Sequence, residues 1–104
     1  MPRTTVTLTG NVSKQLLLTT GHDDAGFSLR IPTTNSAAGT NTLGGGTLTI
    51  LTRVRENAAN NPVLLDTPVI TESSAYDIGG DVEVYATLTG STSPTVEMHL
   101  ATYK

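Results

Sequence analysis

The chain contains 104 residues with a formal net charge of −3, no cysteine, three tyrosines, one phenylalanine and no tryptophan. A chain of this length fits one domain, and the lack of cysteine excludes disulfide bonds and thiolate metal sites. The six lysine and arginine residues are dispersed, so they form no basic patch for nucleic acid or an anionic membrane.

The first third of the chain predicts three short strands. Each strand shows alternation or an apolar run, and turn residues follow it. The three predicted strands are Thr5–Thr9, Val12–Thr19 and Ala25–Ile31. The second contains Leu16, Leu17 and Leu18 in succession, which suits a strand covered on both faces or one at a subunit contact. Thr20–Asp24 has the composition of a turn, and Pro32 ends the third strand. Residues Pro2–Thr9 form either an N-terminal arm or an edge strand.

The segment Pro32–Gly46 consists mainly of Thr, Asn, Ser, Ala and Gly, with Leu43 almost its only large apolar residue. A loop this long is uncommon in a compact domain and is usually functional or mobile. It can also contain a short edge strand. The sequence leaves both interpretations open.

The next third predicts three more strands, at Thr47–Arg55, Val63–Asp66 and Pro68–Thr71. In the first of these, Leu48, Ile50, Thr52 and Val54 share one face, and Leu51, Arg53 and Arg55 share the other. Glu72–Ala75 is polar, and Tyr76–Ile78 then leads through Gly79 and Gly80 to the next strand.

The clearest alternation lies between Gly79 and Tyr103. Apolar residues occupy every second position on both sides of Gly90–Pro94: Val82, Val84, Ala86, Leu88, Val96, Met98 and Leu100. This predicts two strands joined as a hairpin, with one apolar face that a second layer must cover.

Together these patterns predict one all-β domain spanning residues 1–104. Seven to nine short, mostly antiparallel strands with turn residues between them are typical of a β-sandwich or jelly roll. Abundant threonine suits the solvent faces of strands, and no segment has a convincing helical period.

Several residue groups are candidates for chemistry. His22, Asp23 and Asp24 could supply part of a metal site, but three adjacent residues rarely converge on one ion, and a polar turn is the favoured interpretation. A Ser-His-Asp triad would use His22 or His99, yet no Gly-x-Ser-x-Gly elbow occurs. We therefore predict no catalytic residues, no metal and no cofactor.

Other motifs have ordinary structural interpretations. Glu83 and Glu97 could act as paired carboxylates only across a cleft, and their positions favour solvated strand faces. The run Gly44–Thr47 lacks the lysine and helix of a phosphate loop, and Asn11–Ser13 matches a glycosylation motif that is common by chance. Arg53 and Arg55, opposite the predicted buried row, are the candidate partner-binding residues, with solvent exposure as the alternative.

A resemblance to known proteins covers about half of the chain. It is carried by Gly45–Ile50 (Gly-Gly-Thr-Leu-Thr-Ile) and by Leu88–Thr95 (Leu-Thr-Gly-Ser-Thr-Ser-Pro-Thr). These segments resemble a "Gly-Gly-Thr-Leu-Thr-Val" strand and a "Leu-Ser-Gly-Ala-Thr-Ser-Pro-Thr" hairpin that recur in small structural proteins of tailed phages. Among those proteins, the chain is similar to capsid decoration (cement) proteins.

The resemblance implies a small β-sandwich or jelly-roll protein, often trimeric, that binds the outside of a phage head and braces it. Its expected partners are the major capsid protein and two further copies of itself, without nucleic acid or membrane. It would be made in the host bacterial cytoplasm and located on the virion surface. Met1–Thr5 lacks the apolar region of a signal peptide, so we expect a soluble protein that no cleaved signal exports. The alternative functions are a carbohydrate- or receptor-binding module of a fibre or tail, with Tyr85 as its best-placed aromatic residue, and a small hydrolase.

Overall fold

The computed structural model describes residues 3–35, 39–54 and 62–104, and within these ranges it contains ten β-strands and no helix. The strands are β1 (Arg3–Leu8), β2 (Val12–Thr19), β3 (Gly26–Arg30), β4 (Thr34–Asn35), β5 (Gly39–Thr40), β6 (Thr47–Val54), β7 (Val63–Asp66), β8 (Ser73–Tyr76), β9 (Val82–Thr89) and β10 (Val96–Tyr103). In these same ranges, no helix could cross a membrane.

Eight of the strands form two four-stranded antiparallel sheets. The order in the first sheet is β1-β10-β3-β8, and the order in the second sheet is β2-β9-β6-β7. The first strand therefore pairs with the last, and the second with the one before the last. This is the arrangement of an eight-stranded jelly roll, which confirms the predicted all-β fold. The eight strands of the two sheets lie within the predicted range of seven to nine, and the short pair β4 and β5 is additional.

The core lies between the two sheets and is almost entirely aliphatic. Its buried members are Leu8, Leu17, Phe27, Leu29, Ile31, Leu48, Ile50, Val84, Ala86, Leu88, Val96, Met98 and Leu100. They come from alternate positions, because successive side chains of a strand point to opposite faces. Each fully buried Leu, Ile, Val, Phe or Met contributes about 1.5–3 kcal/mol.

A tyrosine joins the two sheets at one edge of the sandwich. The ring of Tyr76 on β8 stacks on Phe27 with centroids 4.8 Å apart. Its hydroxyl donates a 2.9 Å hydrogen bond to the carboxylate of Asp66 on β7 of the other sheet. Burial, followed by this hydrogen bond, raises the pKa of Tyr76 to about 12.

The predicted hairpin of the last two strands is wrong, because β9 and β10 belong to different sheets. β9 bonds to β2 and β6, whereas β10 bonds to β1 and β3, so neither strand has an edge left for the other. The segment Gly90–Pro94 instead crosses from one sheet to the other. Thr92 N–H donates to the Gly44 carbonyl at 2.9 Å, which fixes this crossover to the turn that precedes β6.

Two further predictions need correction. Pro68–Thr71 is a turn rather than a strand, and Thr71 has a positive φ of 83° that a regular strand excludes. The polar segment Glu72–Ala75, for which the sequence predicts no strand, contributes most of β8, which pairs with β3 at the edge of the first sheet. An edge strand needs few apolar residues, because one of its sides faces solvent.

The successive leucines of β2 lie at an edge of the second sheet, where the ladder has a bulge. Leu17 is buried, whereas Leu16 is 45% exposed. The pairing shifts between Leu16 and Leu18, which places Leu17 and Leu18 against the core and leaves Leu16 outside. The strand is therefore covered on one face within this chain. At the edge of the first sheet, β1 is an edge strand. This agrees with one of the two interpretations of the N-terminal segment.

The Pro32–Gly46 segment contains short paired strands, β4 and β5, as one of its two interpretations proposed. Beyond them it is anchored to the sandwich by Asn41, which is 4% exposed. The Asn41 side chain donates to the Pro32 carbonyl at 2.7 Å and to the Glu97 carbonyl at 3.2 Å, and it accepts from Glu97 N–H at 3.1 Å. One side-chain amide thus makes the two bonds to Glu97 that a neighbouring strand would make.

Candidate interaction surface

The outer face of the second sheet carries one row of apolar side chains that crosses all four strands. Leu16 of β2 lies opposite Tyr85 of β9, Tyr85 lies opposite Leu51 of β6, and Leu51 lies opposite Leu64 of β7. We call these four residues the apolar row. Directly opposite side chains in an antiparallel pair lie about 4.5–5.5 Å apart at Cβ, so the row is continuous.

The strand alternation explains why this row faces outward. On β6 and β9 the neighbours Ile50, Val84 and Ala86 are buried in the core, which turns Leu51 and Tyr85 to the other face. Leu16 is 45% exposed and Leu64 is 58% exposed, while the two central side chains are half-buried. A connected exposed apolar strip is a feature that commonly marks a site of protein interaction.

A charged network adjoins the apolar row. Arg53 of β6 lies opposite Glu83 of β9. Its Nε donates to Glu83 Oε1 at 3.1 Å, and its Nη2 binds the same oxygen. Tyr85 donates its hydroxyl to Glu83 Oε1 at 2.8 Å, and the Arg53 guanidinium lies 5.6 Å from the centre of the Tyr85 ring. The network orients Tyr85 within the row.

The electrostatics of this network follow from these contacts. The hydrogen bond to Glu83 is the main cause of the raised pKa of Arg53, so the guanidinium stays positively charged across the physiological range. Partial burial and then the hydrogen bond to Glu83 raise the pKa of the Tyr85 hydroxyl. Tyr85 therefore remains a neutral hydrogen-bond donor beside a fixed ion pair.

Arg53 lies on the face predicted for it, beside the apolar row. Its guanidinium binds a carboxylate of its own chain rather than extending freely into solvent. Arg55, the other predicted partner-binding residue, lies outside the described residues. The role of both in partner binding stays a prediction.

The His22 region forms a turn. The His22 side chain is 88% exposed, with Nδ1 3.6 Å from Asp81 Oδ2. Asp24 accepts the backbone N–H of Gly21 at 2.5 Å, so its carboxylate stabilises the turn. Across residues 3–35, 39–54 and 62–104, no three His, Asp or Glu side chains are grouped to hold a metal ion.

The two glutamates considered as an acid pair lie on opposite outer faces of the sandwich, because their strands belong to different sheets. Glu97 is 8% exposed rather than solvated, and its Oε1 lies 2.8 Å from His99 Nε2. Glu83 is bound by Arg53 and Tyr85. No cleft separates these carboxylates in the way that glycoside hydrolysis requires.

The remaining motifs have structural positions. A Cβ at Gly46 would collide with Ser91 Oγ and the Thr89 carbonyl, so this glycine permits the close approach of the crossover. The side chain of Asn11 accepts from Ser91 N–H at 2.9 Å and donates to its carbonyl at 3.1 Å.

Comparison of the chain with protein-family models, with curated proteins and with solved structures finds no match. The interaction surface is therefore defined by this chain's own geometry. Sequence reasoning identified Arg53, Tyr85 and the leucine run as separate features. It missed the apolar row, because the row depends on the register of four strands from distant parts of the chain.

Proposed function

We propose that this protein is a capsid decoration protein that binds the major capsid protein on the outside of a phage head and stabilises the head. The apolar row, exposed on the outer face of a small jelly roll, is the observation that carries this proposal. The resemblance of Gly45–Ile50 and Leu88–Thr95 to phage structural proteins supplies the identity of the partner.

The composition of the surface supports a protein partner. Protein interfaces have an apolar centre enriched in aromatic residues and arginine, surrounded by a polar rim. Here Tyr85 and three leucines form the centre, with Arg53 and Glu83 beside them. On the neighbouring positions of the same strands, Thr49 and Thr87 lie opposite each other and provide a polar border.

A carbohydrate- or receptor-binding module of a fibre or tail is the second candidate, and it depends on an aromatic platform. Sugars stack on the open face of an aromatic ring beside free polar groups. The Arg53 guanidinium lies over the Tyr85 ring, and the Tyr85 hydroxyl is already bonded to Glu83. These internal contacts favour the protein partner.

We expect three copies to act together on the capsid. The sandwich has four edge strands, β1, β8, β2 and β7, and unpaired edges are commonly covered by another chain. A trimer that engages several capsid sites at once multiplies modest contacts by about 10²–10⁴ through effective concentration. Native mass spectrometry at micromolar protein tests this, with a trimer as the expected species.

The decisive experiment counts copies of the chain in purified phage particles by quantitative mass spectrometry. We expect a ratio to the major capsid protein near one or a simple fraction of it. Absence from the particles contradicts the proposal, and a few copies per particle favours the fibre or tail module.

Variants of the apolar row connect that result to the surface. Leu16→Glu and Leu64→Glu place a charge in the row at exposed positions outside the core. Each should weaken binding to particles that lack the protein by at least about tenfold, because a buried unpaired charge is costly. Val69→Glu is the matched control, since Val69 is 54% exposed in the turn between β7 and β8, outside the row. Equal binding by all three variants contradicts the assigned surface.

A further inference from the structure

The outer face of the first sheet contains a shallow trough between two arginines. Arg3 of β1 lies opposite Ala101 of β10, and Ala101 lies opposite Ser28 of β3. In the adjacent row, His99 lies opposite Arg30, and Arg30 lies opposite Ser73 of β8. These six residues line a cavity of about 240 Å³ together with Leu29 and Leu100. We call it the arginine trough.

Small side chains make the trough. Leu29 and Leu100 are buried in the core, so Ser28, Arg30, His99 and Ala101 face outward. Alanine and serine in the middle of the sheet leave space above the backbone, while the long arginine side chains rise on either side. The result is an open depression bordered by two guanidinium groups and two serine hydroxyls.

The charge in the trough is positive although the chain as a whole is acidic. Arg3 and Arg30 are exposed, and neither has an ion-pair partner within the described residues. The carboxylate of Glu97, one position along the face, is directed at His99 Nε2 at 2.8 Å. At the other end, Asp77 accepts a hydrogen bond from the Tyr103 hydroxyl. These two carboxylates are thus engaged by other side chains.

We propose that the arginine trough binds an oxyanion, a sulfate, phosphate or carboxylate group, between Arg3 and Arg30. A guanidinium presents paired N–H donors in a planar fork that fits two oxygens of such a group. The hydroxyls of Ser28 and Ser73 supply neutral donors on the floor.

This inference is independent of the proposed function. The arginine trough lies on the first sheet, and the apolar row lies on the second sheet, on the opposite face of the sandwich. A ligand in the trough would leave the apolar row open to a partner.

The experiment is a titration of the folded protein with sodium sulfate, followed by backbone amide NMR at constant ionic strength maintained with chloride. We expect saturable shifts at Ser28, Arg30, His99 and Ala101. Arg3→Gln and Arg30→Gln should each weaken sulfate binding about fivefold, since a charge-assisted contact is lost at an exposed site. Arg3→Lys and Arg30→Lys keep the charge without the planar fork. Their sulfate affinities should lie between those of the unaltered protein and the glutamine variants.

Lys14→Gln is the matched control, because it removes one positive charge from an exposed position of β2, on the other sheet. It should leave sulfate affinity unchanged. Parallel titrations with phosphate and acetate identify which oxyanion the trough prefers, and saturable binding of any of the three supports the site. Non-saturable shifts with all three overturn the proposal. Equal weakening by Lys14→Gln also overturns it, because binding would then follow overall charge.

Discussion

Two asparagines show how the same contact gains importance with burial. Asn41 and Asn11 each use the side-chain amide to bind both the N–H and the C=O of one distant residue, Glu97 and Ser91 respectively. Asn41 is buried, whereas Asn11 is exposed. Water can replace the partners of an exposed group but cannot reach those of a buried one, so the two residues should contribute unequally to stability.

We predict that Asn41→Ala lowers the free energy of unfolding by about 3 kcal/mol, because buried polar groups of Glu97 and Pro32 lose their partner. Asn11→Ala should cost less than about 1 kcal/mol, as an exposed hydrogen bond does. Urea unfolding measures both values, provided that the slopes agree with that of the unaltered protein. Similar losses for the two variants would show that Asn41 does not hold the Pro32–Gly46 segment through these bonds.

At the scale of the strand, the sequence predicts an element and its faces better than it predicts the strand's neighbour. The alternation in Val82–Thr89 correctly gave a strand with Val84 and Leu88 inward. The same alternation is compatible with a hairpin to β10 or with a place between β2 and β6. Short loops usually join neighbouring strands, but in a jelly roll most connections pass from one sheet to the other.

Sequence reasoning missed some residues for the same reason, namely that a strand's pattern does not specify its neighbours. Ser73 and Ser74 belong to an edge strand, whose polar composition does not differ from that of a loop. Both the apolar row and the arginine trough bring together residues that only the strand register makes adjacent. No local pattern in the sequence specifies a register between strands that lie far apart in the chain.

Engineered cysteine pairs distinguish the two arrangements of β9 directly, because the natural chain contains no cysteine. Thr49 and Thr87 lie opposite each other on β6 and β9, so Thr49→Cys with Thr87→Cys should form a disulfide under mild oxidation. Thr87→Cys with Glu97→Cys would be opposite in a hairpin across Gly90–Pro94. In the sandwich these two positions lie on opposite outer faces, beyond the roughly 7 Å Cα limit for a disulfide.

The measurement is thiol titration and a mobility shift on non-reducing electrophoresis, with dilute protein to suppress intermolecular bonds. Efficient internal crosslinking of the Thr87 and Glu97 pair would contradict the jelly-roll order. The Thr49 and Thr87 pair serves as the positive control for oxidation.

The molecule as a whole presents two broad outer faces over a thin core. Its Cα extents are 35 × 29 × 17 Å, so the apolar row and the arginine trough occupy the two widest surfaces. Neither sheet is continuous in sequence, because β1, β3, β8 and β10 alternate along the chain with strands of the other sheet. Each sheet therefore depends on the other both for its apolar cover and for the position of its strands.

This interdependence predicts a single cooperative unfolding transition. Far-UV circular dichroism and tyrosine fluorescence should give coincident urea curves, and refolding should take milliseconds to seconds because the pairing of β1 with β10 is highly non-local. Leu29→Ala in the first sheet and Ile50→Ala in the second should each cost about 2–5 kcal/mol as cavities in one shared core. Each should move the midpoints of both probes equally. If Leu29→Ala separated the two curves, the first sheet would be unfolding independently, and the sandwich would consist of two units rather than one.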